Sequence, residues 1–191
     1  AVSWVGGSTT ATDLGGLGGP RRAALAVSAD GSVIVGFAQD ANSKTYAASW
    51  VGGSTTATDL GGLGGNYGLA RAVSADGSVI VGQAQNAANE NRAVSWVDGS
   101  TTATNLGTLG GNYSVAKAVS ADGSVIVGDS TTAAGSTRAF IYRIQSAATT
   151  SSTTTGPTMQ DLENLLLSFP LLANDTEVAA AQQHGVVGDL A

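Results

Sequence analysis

The chain has 191 residues, a net charge of −6, 27 glycines, only 12% charged residues and no cysteine. That inventory excludes disulfide frameworks, thiolate zinc sites and cysteine nucleophiles, and the scattered basic residues argue against a surface that tracks nucleic-acid phosphates. No apolar run approaches the roughly 20 residues that span a bilayer, so direct membrane insertion is not expected.

In chain order, the first feature is a repeat. Trp4, Trp50, Trp96 and Tyr142 are spaced 46 residues apart, and "AVSADGSVIVG" recurs unchanged at 26–36, 72–82 and 118–128. Residues 1–145 therefore read as three β repeats plus the first strand of a fourth, which opens at "RAFIYRIQ". Each repeat is expected to hold four short strands, at 47–51, 55–60, 69–75 and 78–85 in the second copy. Tight reversals are expected at "GGS" or "DGS" after the Trp strand and at Asp-Gly before "SVIVG", because Gly and Asp-Gly accept the positive φ of hairpin turns. Two reversals per repeat imply antiparallel neighbours, which favours four-stranded blades of 46 residues in a β-propeller-like all-β domain. A β-helix or solenoid is the alternative, and it pairs like strands in parallel with little use for such reversals. The Trp is expected to cover a blade edge or fill the space between blades. Three blades do not close a ring of four to eight. Closure by the strand at 140–144, by a second chain making six blades, by upstream repeats, or an open stacked array all remain possible readings.

After Gln145 the texture changes. Residues 146–157 form a Ser/Thr-rich linker, and 158–191 read as a short α-helical tail. There Thr158 caps a helix with Met159, Leu162, Leu165, Leu166 and Phe169 on one face, and Pro170 ends or kinks it. A second short helix opens at Asn174 and stops at Gly185. The chain starts on a β-like stretch with Ala rather than Met, which suggests that a leader or earlier repeats precede it.

Candidate chemistry is sparse. His184 is the single imidazole, without an orienting partner, so a catalytic triad is not expected and no catalytic residue is assigned. Asp30, Asp76 and Asp122 read as hairpin residues ahead of Gly rather than as calcium ligands. "TDLGGLGGN" does not keep the GGxGxD spacing of glycine-rich calcium repeats and is followed by a strand, unlike a phosphate loop. No metal set and no cofactor are expected. The Thr-x-Thr of each "STTAT" could present a flat hydroxyl array only if the copies lay parallel. The segments that vary between copies, 39–46, 85–92 and 129–138, are taken to connect one blade's last strand to the next Trp strand. Their Lys44, Tyr46, Asn89, Arg92 and Arg138 are the candidate ligand contacts.

The stretch 58–96, with its Asp-Leu-Gly-x-Leu-Gly-Gly block, its Ala-Val-Ser-x-Asp-Gly block and a following Arg-Ala-aromatic strand, resembles the HAF-family extracellular repeat over residues 1–145. The tail 159–185 is similar to segments that join autotransporter passengers to a C-terminal barrel. The resemblance implies a secreted or bacterial cell-surface protein and carries no site residues. Near-identical copies favour a non-enzymatic adhesion or self-assembly module, forming a homo-oligomer or fibre or binding a surface glycan or protein. The alternative is a lectin-like or enzymatic propeller whose site is completed by oligomerisation.

Overall fold

The computed structural model describes residues 1–4 and 7–144. The linker expected at 146–157, the helical tail at 158–191 and His184 lie outside the described residues. Among the described residues there is no helix. The thirteen strands are β1 (Val2–Ser3), β2 (Thr12–Asp13), β3 (Gly18–Val27), β4 (Val33–Asp40), β5 (Thr45–Val51), β6 (Thr58–Asp59), β7 (Gly64–Val73), β8 (Val79–Asn86), β9 (Asn91–Val97), β10 (Thr104–Asn105), β11 (Gly110–Val119), β12 (Val125–Thr132) and β13 (Thr137–Arg143).

Antiparallel ladders join β3-β4-β5-β6 and β7-β8-β9-β10 into four-stranded blades, β11-β12-β13 into a third that has three strands, and β1-β2 into a pair. A single parallel bridge, Thr45 to Tyr67, ties the first blade to the second. The 46-residue antiparallel unit expected from the turns is therefore present, but its phase differs. The Trp strand is the third of its blade rather than the first, and it pairs with the "SVIVG" strand before it: Ile34 stands opposite Trp50 and Ile80 opposite Trp96. The variable segments are consequently hairpins inside a blade. The link between blades is the Gly-rich stretch at 60–64 and 106–110. Periodicity alone could not set this phase, because any starting point in a perfect repeat gives the same spacing.

Turn chemistry explains the strand ends. Gly52 and Gly53 (φ 61° and 75°) and Asp98 and Gly99 (φ 52° and 72°) are the paired positive-φ centres of two-residue turns, closed by Ser54 N–H to Val51 O (3.1 Å) and Ser100 N–H to Val97 O (3.0 Å). The Ser54 hydroxyl then accepts the Thr56 N–H (3.0 Å), holding Thr56 in a turn and shortening the fourth strand to two residues instead of the six expected. With Thr56 out of the strand, no flat Thr-x-Thr array forms. The Asp-Gly reversal is longer than a two-residue hairpin, since Ser74 N–H meets Val79 O (2.8 Å) across four loop residues.

The core lies between successive blades. Trp50 and Trp96 are each 1% exposed. Trp50 packs with Ala38, Ala48, Ala57 and Leu14, and Leu14 comes from the segment preceding the blade. Trp96 packs with Ala84, Val94 and Leu60 in the same way, and partly buried Ala103 lies against that cluster. Small alanines on the strands let the sheets approach closely enough for one indole and one leucine to fill each gap, as the sequence reading expected of the Trp.

Candidate functional site

The invariant turn is a self-contained hydrogen-bonded unit. Asp76 Oδ1 accepts from Ser74 Oγ (2.6 Å), Ser78 N (3.0 Å) and Ser78 Oγ (2.8 Å), while Ser74 Oγ accepts from Val79 N (2.9 Å). Asp30 repeats the arrangement, and donation first from the Ser28 and Ser74 hydroxyls and then from the Ser32 and Ser78 backbone holds both carboxyls down at about 2. Asp122 has the same partners through Ser120 and Ser124 and the same lowered value. These carboxylates are occupied by their own turns, which is how sequence reading took them.

Each turn also touches the next one. Ala29 N–H donates to Ala75 O and Ala75 N–H to Ala121 O, both at 2.9 Å. Gly77 has φ +78°, and a β-carbon there would stand 2.6 Å from Cγ2 of Val33 in the preceding blade; Gly123 is placed alike against Val79 at 2.7 Å. The block is copied letter for letter because its Ala, Gly and Val serve a contact made from blade to blade.

Five residues were candidate ligand contacts. Lys44 and Asn89 sit in the hairpins between second and third strands, where Asp40 Oδ1 caps the Asn42 and Lys44 N–H groups (2.9 Å each) and Asn86 Oδ1 caps Ala88 (3.0 Å) and Glu90 (2.9 Å). Asn89 has φ +60°, and Ser43 and Gly135 take the same place with φ 64° and 79°, so the left-handed turn accounts for it. Tyr46, Arg92 and Arg138 occupy one equivalent position at the start of the third strand. Tyr46 is half-buried beside the Gly61–Gly65 stretch, and burial followed by the Asp40 and Asp59 charges raises its pKa. Arg92 donates to Glu90 Oε2 (2.5 Å) and Asn112 O (2.6 Å), fastening the second blade to the third. Arg138 is exposed and, among the described residues, donates to Thr137 O (3.2 Å). These residues share one end of the sheets without converging on a common pocket.

A cavity of about 310 Å³ between β3 and β7 was not anticipated. It is lined by Arg21, Leu25, Phe37, Tyr67 and Arg71. The copies diverge here: the column Leu25, Arg71, Lys117 faces the column Phe37, Gln83, Asp129. The second pair is a hydrogen bond from Arg71 to Gln83 (3.1 Å) and the third a salt bridge, Lys117 to Asp129. The divergence is written in the sequence as columns at a spacing of 46.

Among the described residues, the outer strand β13 of the third blade has a partner on one side only. Ile141 is 67% exposed and Tyr142 38%, against 4% and 1% at the equivalent Ser49 and Trp50. Beside them, Leu106, Leu109, Ser130 and Phe140 surround a cavity of about 140 Å³.

No protein-family model matches the chain, and no curated protein matches it. Among solved structures, TolB from Acinetobacter baumannii is similar at 19% identity with a TM-score of 0.50, over 71% of this chain and 31% of that one. The chain thus spans less than a third of that protein, and the likeness bears on the fold alone: an all-β, propeller-like stack of antiparallel sheets. A TolB structure from Agrobacterium tumefaciens, at 18% identity over 64% of this chain and 45% of that one, has a TM-score of 0.46, too low to argue from.

Proposed function

We propose that this chain is a non-enzymatic adhesion or self-assembly module of a secreted or cell-surface bacterial protein. The observation that carries the reading is the edge of β13, which has no partner among the described residues, with Ile141 and Tyr142 uncovered where the same positions in the other blades are sealed. The HAF-like repeat blocks support the location. The interlocking turns support assembly, since each blade presents the surface that its neighbour accepts. Light scattering of the full chain, together with binding to bacterial cells and to immobilised glycans, tests this. Self-association or multivalent attachment is the expected result; a strict monomer that binds nothing and turns over a substrate would defeat it.

The cavity between β3 and β7 favours a second reading, in which the blades bind a ligand in the manner of a lectin. Two guanidinium groups beside Phe37 and Tyr67 suit a carboxylated sugar, combining ionic hydrogen bonds with a stacking surface. Loss of glycan binding in Arg21→Ala and Arg71→Ala variants, with folding intact, is expected under this reading, and unchanged binding removes it.

A further inference from the structure

We propose that the third blade is completed by a second copy of this chain, whose segment 8–14 lies as a fourth strand along the outer edge of β13. The inference rests on the self-assembly reading and names the surface it would use.

The edge has a definite hydrogen-bonding pattern. Ile144 N–H bonds Ser124 O on the inner side (2.9 Å), so by alternation Ala139 and Ile141 direct their N–H and C=O groups outward. In the second blade the equivalent Ser95 pairs with Thr104, and Ala93 O accepts the Leu106 N–H (2.9 Å). The first blade does the same with Thr58 and Leu60. The missing strand is therefore of known type: Thr-Ala-Thr, then Asp or Asn, then Leu. A third such segment exists, Thr10 to Leu14; the edge it would offer is the one on which β1 pairs Ser3 with Thr12 and Val2 with Asp13 and on which Leu14 N–H bonds Ala1 O (2.9 Å), so β13 of the other copy would take the place of β1. Laid on β13 in the common register, Thr12 stands opposite Ile141, Asp13 opposite Phe140, and Leu14 N–H meets Ala139 O. Ala11 then covers Tyr142, as Ala57 covers Trp50.

The chain's own continuation does not carry this pattern. Ile144 and Gln145 stand where Asp98 and Gly99 adopt positive φ, and Ser152 stands where Leu106 would be.

The rest of the interface is already built twice within the chain. A β-carbon on Gly15 or Gly61 would strike the carbonyl of Thr55 or Thr101 at 2.0 or 2.3 Å, whereas Gly107 has nothing within 4 Å; the incoming Thr9 would occupy that place. Gly31 likewise has nothing within 4 Å, while Gly77 and Gly123 are packed by Val33 and Val79. Val125 of one copy would fill the space beside Gly31 of the next, and Ala121 N–H would reach Ala29 O. The described blades of each copy would follow those of the one before in a head-to-tail stack.

The chain has no cysteine, so engineered thiols report the contact alone. Facing β-carbons in a paired register stand about 4.5–5.5 Å apart, close enough to be bridged. Full-length T12C and I141C chains, both substituted at exposed positions, are mixed in equal amounts and mildly oxidised. Most of the material is expected to become a linked species of twice 18.7 kDa, at a yield at least tenfold above either variant alone. If scattering shows association but the mixture gives no excess cross-link, the copies meet elsewhere; the edge is then wrong and the self-assembly reading stands. A monomer at all concentrations overturns both. Efficient linkage within one chain of an I141C/T150C variant would show the edge filled by the chain's own residues and would also overturn the proposal.

Discussion

Replacing Gly77 with Ala adds one methyl group at a point where two independent costs meet. The backbone there has φ +78°, which penalises any L-residue by about 1–2 kcal/mol. The new β-carbon would also stand 2.6 Å from Val33 Cγ2 and 3.2 Å from Val33 Cβ, and forcing a stiff β-branched side chain to give way adds about 1–3 kcal/mol. Gly31 is the internal control. Its φ is +75°, the surrounding sequence is identical, and nothing lies within 4 Å of its would-be β-carbon. Effects on the unfolded chain are common to both substitutions and cancel. Urea unfolding at high dilution, where copies are separated, should therefore show Gly77→Ala losing about 2–5 kcal/mol and Gly31→Ala only about 1–2. Gly123→Ala, facing Val79, should behave like Gly77→Ala. Equal losses at positions 31 and 77, within about 0.5 kcal/mol, would refute the claim that these turns pack blade to blade.

Trp96→Ala empties a gap that Leu60 and Val94 cannot close, and thermal or urea unfolding should record a loss of about 3–5 kcal/mol, with Tyr142→Ala losing clearly less because its ring is partly exposed. The Asp30, Asp76 and Asp122 carboxyls sit at about 2 when folded, below the ordinary 3.8. Their contribution is thus present above pH 4 and lost as pH falls toward 2; acid titration followed by circular dichroism should show stability declining in that window, and the Asp76→Asn variant should show a shallower decline. At concentrations where the wild type associates, Gly31→Ala should weaken association several-fold as read by sedimentation equilibrium, while the dilute chain loses only about 1–2 kcal/mol, set by the positive φ.

Much of the fold was legible because the repeat is so regular. The 46-residue spacing gave the unit, and the Gly-Gly and Asp-Gly pairs gave the reversals. What could not be read was where one blade ends. The segments 39–46 and 85–92 look like linkers because they vary, yet Asp40 and Asn86 cap turns there, with Ser43 and Asn89 in the left-handed position. The glycine-rich stretch looks like a loop with a purpose of its own, and it is the crossover between sheets. For the site, Arg92 stands out because it lies in a polar segment that varies between copies, but its bonds to Glu90 and Asn112 O give it a fastening role. The cavity at Arg21 and Arg71 went unread because those residues are brought together only when β3 and β7 of successive blades stack, a juxtaposition across 50 positions that periodicity does not announce.

The amide of Ile141 offers the most direct view of the unfinished blade. Its equivalent, Ser95, is paired with Thr104 inside the chain, so its hydrogen exchange should be slow at any concentration. Ile141 is expected to exchange rapidly in dilute solution and to slow toward the Ser95 rate as the protein is concentrated. An Ile141 amide that is equally protected at the highest dilution, or that stays open at every concentration, would contradict the account.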